Sequence, residues 1–391
     1  MHILILTDRD WEHPQGGGTG TNLLGQIGHW LEWGHRVTVI SCGFRGGEDC
    51  VERDGVTIHR VGGRSTVFPR TILRQRAGLV PDADVVLEVI NGITFLTPLW
   101  LRTPRVALIH HVHRRHYAEE MGVVGRIACL ALETMPIRAL YRNVRFLTVS
   151  NSSAGEIEEL GVAPERISVN YNGIDTSWYT PGRKAQAPTV LYLGRLKRYK
   201  HVEVLLDIVA GLPGVRLEIA GEGDQRAAIE GTISKLGIAD RVTMHGFVDE
   251  ETKRRLLQEA WVNATASVAE GWGLSVMEAA ACGTPSVAIA HGGLTESIRD
   301  GESGLLAQDR AGLGVALGRV LDDEALRTRL ADGALDYAAS CSWERTARQA
   351  LDVLAEEARM PIPAFEASGP DAPVQPEVAS EAPALSSVAG G

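Results

Sequence analysis

Two successive series of short β-rich runs, each run separated from the next by a helix-length segment, constrain this chain more than any other feature. The first series places apolar, β-branched runs at residues 3–6, 37–40, 56–61, 85–89, 106–109 and 146–149. The second restarts at 189–193 and continues through 215–220, 242–244, 262–265 and 286–289. Strands that alternate with helices are joined by crossovers, and crossovers build parallel sheets covered by helices. Between the series stand the turn residues Asn172, Gly173, Ile174 and Asp175, then a Pro-, Gly-, Lys- and Gln-rich stretch at 181–188 that reads as a hinge linker. The 391 residues exceed one ordinary core, since domains run to roughly 150 residues. The fold class is therefore α/β, with two Rossmann-like domains facing each other across a cleft, at 1–172 and 173–340. A helix is expected at 341–359. The tail at 360–391 has no Lys or Arg, is rich in Pro, Ala, Ser and Glu, and is expected to be disordered.

Local signals support the helices. Leu24, Ile27 and Leu31 recur at helical spacing ahead of Gly34, a C-cap residue, and Ser153 with Glu156 forms a capping-box pattern. The net charge of −10 argues against nucleic-acid binding, which draws its affinity from surplus Lys and Arg. Five scattered cysteines without a C-x-x-C pair read as reduced cytoplasmic thiols. No run approaches the roughly 18 apolar residues of a membrane span. Residues 114–145 interleave arginines with Val123, Val124, Ile127, Leu130, Leu132 and Leu140. They read first as a helix packing its apolar face on the domain, and second as one giving weak peripheral contact with the inner membrane face.

Chemistry concentrates in the second half. Glu270, Gly271, Trp272, Gly273, Leu274, Ser275, Val276, Met277 and Glu278 lie between a strand and an Ala-rich run. Gly271 and Gly273 let backbone approach a ligand, and a helix starting near Leu274 would aim free N–H groups at an anion such as a diphosphate. Glu270 and Glu278 could accept hydrogen bonds from hydroxyls, although each alone also reads as an ordinary loop or helix-start charge. Arg195 and Lys200 follow the first strand of the second series, where open α/β sheets place ligands. Taken alone they also read as a solvated basic loop. In the first half Gly16, Gly17, Gly18 and Gly20 open a helix without the G-x-G-x-x-G spacing of a dinucleotide site. His110, His111 and His113 stand at a strand end, where an H-x-H metal pair has no evident further ligand.

Arg195 with Lys200, followed by Glu270 and Glu278, resembles the pattern of the retaining GT-B glycosyltransferases of family 4. The resemblance extends through Gly292, Gly293, Glu296, Gly301, Gly304, Leu305 and Leu306, and through Asn172 to Asp175, over most of residues 1–358. It implies a GT-B fold whose last helix, over 343–354, crosses back to the first domain. It implies retaining transfer of a hexose from a nucleoside-diphosphate sugar, UDP-hexose or GDP-mannose, to a hydroxyl acceptor, with no metal and no cofactor. By the resemblance Glu278 holds the donor ribose, Glu270 the transferred sugar, and Arg195 and Lys200 the leaving diphosphate. Residues 271–276 complete the phosphate cradle, Gly246, Phe247 and Val248 line the nucleobase, and Gly221 to Gly223 border the donor. Read from the residues themselves, Gly17 and Gly18 either bring backbone to the donor phosphate or an acceptor across the cleft or form a flexible loop. His110 aligns best with the histidine beside the anomeric carbon, with His111 and His113 competing. The triplets Asp8-x-Asp10 and Asp82-x-Asp84 read as coincidental, the second preceding a strand, and Asp8 or Asp10 as an acceptor contact. A nucleotide-sugar epimerase or a phosphorylase-like enzyme of the same architecture, and a non-catalytic sugar-nucleotide-binding scaffold, are the alternatives.

Overall fold

In the computed structural model, which describes residues 1–361, the first series of runs forms an eight-stranded sheet. Its strands are β1 (His2–Leu6), β2 (Arg36–Ser41), β3 (Cys50–Arg53), β4 (Val56–Arg60), β5 (Val85–Ile90), β6 (Arg105–Ile109), β7 (Arg145–Thr148) and β8 (Ile167–Val169), in the order β3-β4-β2-β1-β5-β6-β7-β8. The second sheet contains β9 (Thr189–Leu193), β10 (Arg216–Ala220), β11 (Val242–Gly246), β12 (Val262–Thr265), β13 (Ser286–Ile289) and β14 (Gly304–Ala307), in the order β11-β10-β9-β12-β13-β14. All pairings are parallel except β3 with β4. The central strands β1 and β5 are buried at every position, as strands covered by helices on both faces must be, and read as near-continuous apolar runs interrupted only by His2 and Glu88. Met1–Met360 form one compact unit. The tail expected at 360–391 lies outside the described residues beyond Pro361.

Each sheet reverses its strand order once. In the first sheet β1 and β5 diverge, and in the second β9 and β12 diverge. Crossovers leave in opposite directions at such a point and open a crevice at the carboxyl ends of the strands. The two crevices are where the chemistry-bearing loops emerge.

The helix Trp343–Ala358, capped by Ser342 Oγ accepting from Arg345 N–H, packs against the helix Gly18–Glu32. Trp30 Nε1 donates to Ala347 O at 2.8 Å, Asn170 Nδ2 donates to Thr346 O at 3.0 Å, and Arg145 pairs with Glu356. The last helix thus completes the cover of the first sheet. The chain crosses between sheets twice, and Ile174 N–H donates to Cys341 O at 2.9 Å, tying the two crossings together.

Several local expectations are corrected. The helix Gly18–Glu32 buries Leu23, Ile27 and Trp30 rather than Leu24, because Trp30 fixes its phase against the last helix. Ser150, not Ser153, caps the helix Asn151–Glu158, while Glu156 reaches Val112 N–H at 2.9 Å. The stretch 181–188 is no loose linker: Ala185 N–H donates to Glu259 O at 2.8 Å, and Trp261 Nε1 donates to Ala185 O at 2.7 Å. Finally, Val123, Val124, Ile127, Leu130 and Leu132 are exposed instead of packed on the domain.

Candidate active site

The crevice of the second sheet is built from the loops after β9 and β12. Lys200, ending a short 3-10 turn, pairs with Glu270 on the β12 loop, and both side chains are largely buried. Tyr199 O accepts from Val268 N–H at 3.1 Å, which fastens the two loops. Arg195 Nη2 donates to Tyr199 Oη at 3.2 Å, and Arg195 O accepts from Tyr192 Oη at 2.9 Å. An ammonium has three N–H donors, so Lys200 keeps donors for an anion while bound to Glu270.

The loop then turns into the helix Leu274–Ala281. Gly273 serves as N-cap with φ +108°, which favours glycine. A Cβ on Gly271 would lie 2.3 Å from His110 O, so that position requires glycine where the first-sheet loop closes over it. Trp272 is buried and stacks on Tyr171 at 4.6 Å, while Ser275 is half-buried in the first helical turn. One turn on, Glu278 Oε1 accepts from Lys253 Nζ at 2.9 Å and from Tyr179 Oη at 3.1 Å. Burial works against the charge on Lys253, but Glu278 and Glu250 outweigh it and hold the ammonium above its usual range. Burial and the same two carboxylates push the Tyr179 phenol up, so it remains a donor.

Gly221 N–H at the end of β10 donates to Gly246 O at 2.8 Å, and Gly194 N–H after β9 donates to Ala220 O at 3.0 Å. The three strand ends are thereby joined in one rim. On it Val248 packs against the cluster holding Tyr179 and Met277, whereas Phe247 is 84% exposed.

The facing crevice in the first sheet carries different groups. His110 is held by Ser153 Oγ donating to its backbone O at 2.7 Å, and its ring Nε2 is buried without a protein partner. Burial, then His113, pushes His110 down to about 4. Burial and the same neighbour take His116 to about 3, with Arg195, Lys197 and Lys200 contributing, so both rings are neutral near pH 7. His113 is committed on both nitrogens, to Glu133 and to Asn91 Oδ1, each at 2.9 Å. The His111 ring lies tilted against it at 4.4 Å. Asn91 Nδ2 also donates to Asp8 Oδ1 at 3.2 Å, leaving Asp8 at the crevice. Asp10 is consumed by Arg60, Ser41 and Glu12 N–H, and Asp84 by His2 N–H at the opposite end of the sheet.

The crevices meet. Gly17 caps the helix Gly18–Glu32, and a Cβ on Gly18 would lie 3.2 Å from Leu274 Cδ1. His116 lies edge-on to Tyr199 at 4.7 Å. Glu296 reaches from the second sheet's side to accept from Asn151 N–H at 2.8 Å, Ser152 N–H at 2.9 Å and Tyr171 Oη at 3.0 Å, satisfying the open end of the helix Asn151–Glu158. His110 Nε2, His116 Nδ1, Trp272 Nε1 and Ser297 Oγ are buried polar atoms without protein partners around this junction. Such atoms are costly unless a ligand or water serves them. Among the described residues no three His, Cys, Asp or Glu side chains converge as a metal-ligand set.

The family model described as Glycosyl transferases group 1 matches residues 180–336, and the one described as Glycosyltransferase Family 4 matches residues 16–178. The D-inositol 3-phosphate glycosyltransferase of Stackebrandtia nassauensis is 30% identical over 321 residues, covering 73% of this chain and 71% of that protein. This chain belongs to the family 4 glycosyltransferases. The glycosyltransferase shares its fold with sucrose-phosphate synthase of Thermosynechococcus elongatus, at a TM-score of 0.80 and 22% identity over 91% of this chain and 98% of that one. It is also similar in fold to HepE of Anabaena in complex with UDP and glucose, at 0.74 and 19% identity over 91% and 100%. The fold is GT-B.

Lys253 and Tyr179, which hold Glu278, were missed from sequence. They lie on a different helix and on the segment between the sheets, with no motif to mark them. Glu296 was noted only as part of the resemblance, and the structure shows what it touches.

Proposed function

We propose that this glycosyltransferase moves a hexose from a nucleoside-diphosphate sugar, UDP-hexose or GDP-mannose, to a hydroxyl acceptor with retention at the anomeric carbon. The observation that carries the reading is the set of paired charges at the second-sheet crevice: Lys200 with Glu270, Arg195 beside them, and Glu278 held by Lys253 and Tyr179. Cations at strand ends suit a diphosphate, and carboxylates suit the hydroxyls of ribose and hexose. The fold neighbour bound to UDP and glucose supports the donor class.

In this mechanism Arg195, Lys200 and the N–H groups of residues 271–276 bind the diphosphate and stabilise its charge as the C1–O bond breaks. Glu278 holds the ribose and Glu270 the hexose, while Phe247 or Val248 lies beside the base. The acceptor oxygen forms its bond to C1 on the face the phosphate leaves, and its proton passes to a phosphate oxygen. His110, neutral with an open Nε2, contacts the hexose without opposing the positive character that develops at C1. Gly17 and Gly18 close the donor from the first sheet. No cofactor or metal enters this scheme. The five unpaired cysteines suit a cytoplasmic enzyme.

The test is a panel of nucleotide sugars, each incubated with the purified chain in a chelator, with release of UDP or GDP and the sugar product followed by mass spectrometry. Release from one donor, abolished in Glu278→Ala, is expected. An altered nucleotide sugar without release would favour an epimerase. Tight nucleotide binding without turnover would favour a scaffold, and a strict metal requirement would overturn the metal-free scheme.

A further inference from the structure

The helix Arg114–Cys129 and the turn that follows it carry apolar side chains that cover nothing. Met121, Val123, Val124, Ile127, Leu130 and Met135 are all at least half exposed, Val123 reaching 70%. Val123, Val124, Ile127 and Leu130 recur at three- and four-residue spacing beyond a break in the helix at Gly122, with Met121 before the break and Met135 opening the next helix. A monomer in water rarely leaves so contiguous an apolar face open.

The exposed charge around this face is mostly basic. Among the described side chains along residues 114–143 the exposed charges are Arg114, Arg126, Arg138 and Arg142 against Glu119, while Glu120 is half-buried and Glu133 is buried against His113. This occurs in a chain of net charge −10. Apolar side chains ringed by arginine complement a surface that is apolar inside and anionic outside. No helix among the described residues is long and apolar enough to cross a membrane, so contact of this kind is confined to the surface.

The face is also tied to the active site. His113 N–H and Nδ1 bind both oxygens of Glu133 at 2.8 and 2.9 Å, which pins the base of the segment beside His110 and His116. Thr94 N–H donates to Leu132 O at 3.2 Å, pinning its far side to the first-sheet core.

We propose that this face docks the enzyme on an anionic lipid bilayer, with the mouth of the first-sheet crevice next to the headgroups. The docking is independent of the donor, so it stands or falls apart from the proposed transfer.

The full chain is sedimented with vesicles of phosphatidylcholine alone and of phosphatidylcholine mixed with phosphatidylglycerol. Binding to the mixed vesicles is expected, weakened by added salt and reduced about tenfold or more in V123D/I127D and in R126E/R138E. UDP affinity, measured in parallel, should be unchanged in both. Absence of wild-type binding to mixed vesicles overturns the proposal, as does equal binding by V123D/I127D. A concentration-dependent dimer that V123D/I127D abolishes, without vesicle binding, would assign the face to a second copy instead.

Discussion

Around β9 and β12 the charges are held in pairs, Lys200 with Glu270 on the loops and Lys253 with Glu278 on the adjoining helices, whereas the segment after β6 carries histidines that burial keeps neutral, beside the Asp8–Arg9 pair of the β1 loop. Both crevices are open α/β switch points, yet the second offers cations beside its carboxylates, while the β6 side of the first offers neutral imidazoles. The difference also extends to support. The second sheet's loops are fastened within their own half, through Tyr199 to Val268 and Gly221 to Gly246. The first sheet depends on a helix from the other end of the described chain, through Trp30 to Ala347. In the proposed transfer, fixed charge serves the departing diphosphate and neutral imidazoles serve the sugar.

The largest expected effect breaks the comparison at its support. A chain ending at Ser340 loses the buried Leu351, Val353 and Leu354 with the rest of the last helix. At roughly 1.5–3 kcal/mol per buried aliphatic side chain, the loss is about 5 kcal/mol or more. Melting should fall by roughly 10 °C or more, with hydrogen exchange rising first in the helix Gly18–Glu32. An unchanged melting curve would mean that the first sheet needs no help.

A smaller effect sharpens the electrostatic half of the comparison. His110 and His116 titrate in the folded chain well below the usual histidine range, so between about pH 6.5 and 4 the unfolded chain binds protons the folded one refuses. Stability therefore falls as pH drops through that window, by about 1.4 kcal/mol per pH unit for each proton of difference. Thermal melting from pH 7 to pH 5 should show the decline, and His110→Gln should flatten it. Rising stability on acidification would contradict the neutral imidazoles.

How much was readable from sequence follows the same division. Arg195, Lys200, Glu270 and Glu278 were singled out because the segments after β9 and β12 carry them in the spacing of the family 4 pattern, whereas position alone also allowed ordinary loop and helix-start charges. Lys253 and Tyr179 were not, because their meeting with Glu278 is made only by packing across 25 and 99 positions. The edge strands β3, β8 and β14 escaped notice: β3 is mostly solvent-facing, β8 has three residues and β14 four, opening on a glycine. Among the histidines, sequence could not show that Glu133 and Asn91 occupy His113 and leave His110 Nε2 open. The run from Val123 to Leu132 shows the limit most plainly, since a pattern of apolar residues says which face they share but not whether anything covers it.

The most direct test of the division of labour is a calorimetric titration of the released nucleotide into Lys200→Ala and His110→Gln, alongside their transfer rates. The account predicts that Lys200→Ala weakens nucleotide binding about a hundredfold. It predicts that His110→Gln binds nucleotide as the native chain does while turnover drops by a similar factor through lost positioning of the hexose. Nucleotide binding lost in His110→Gln and kept in Lys200→Ala would contradict it.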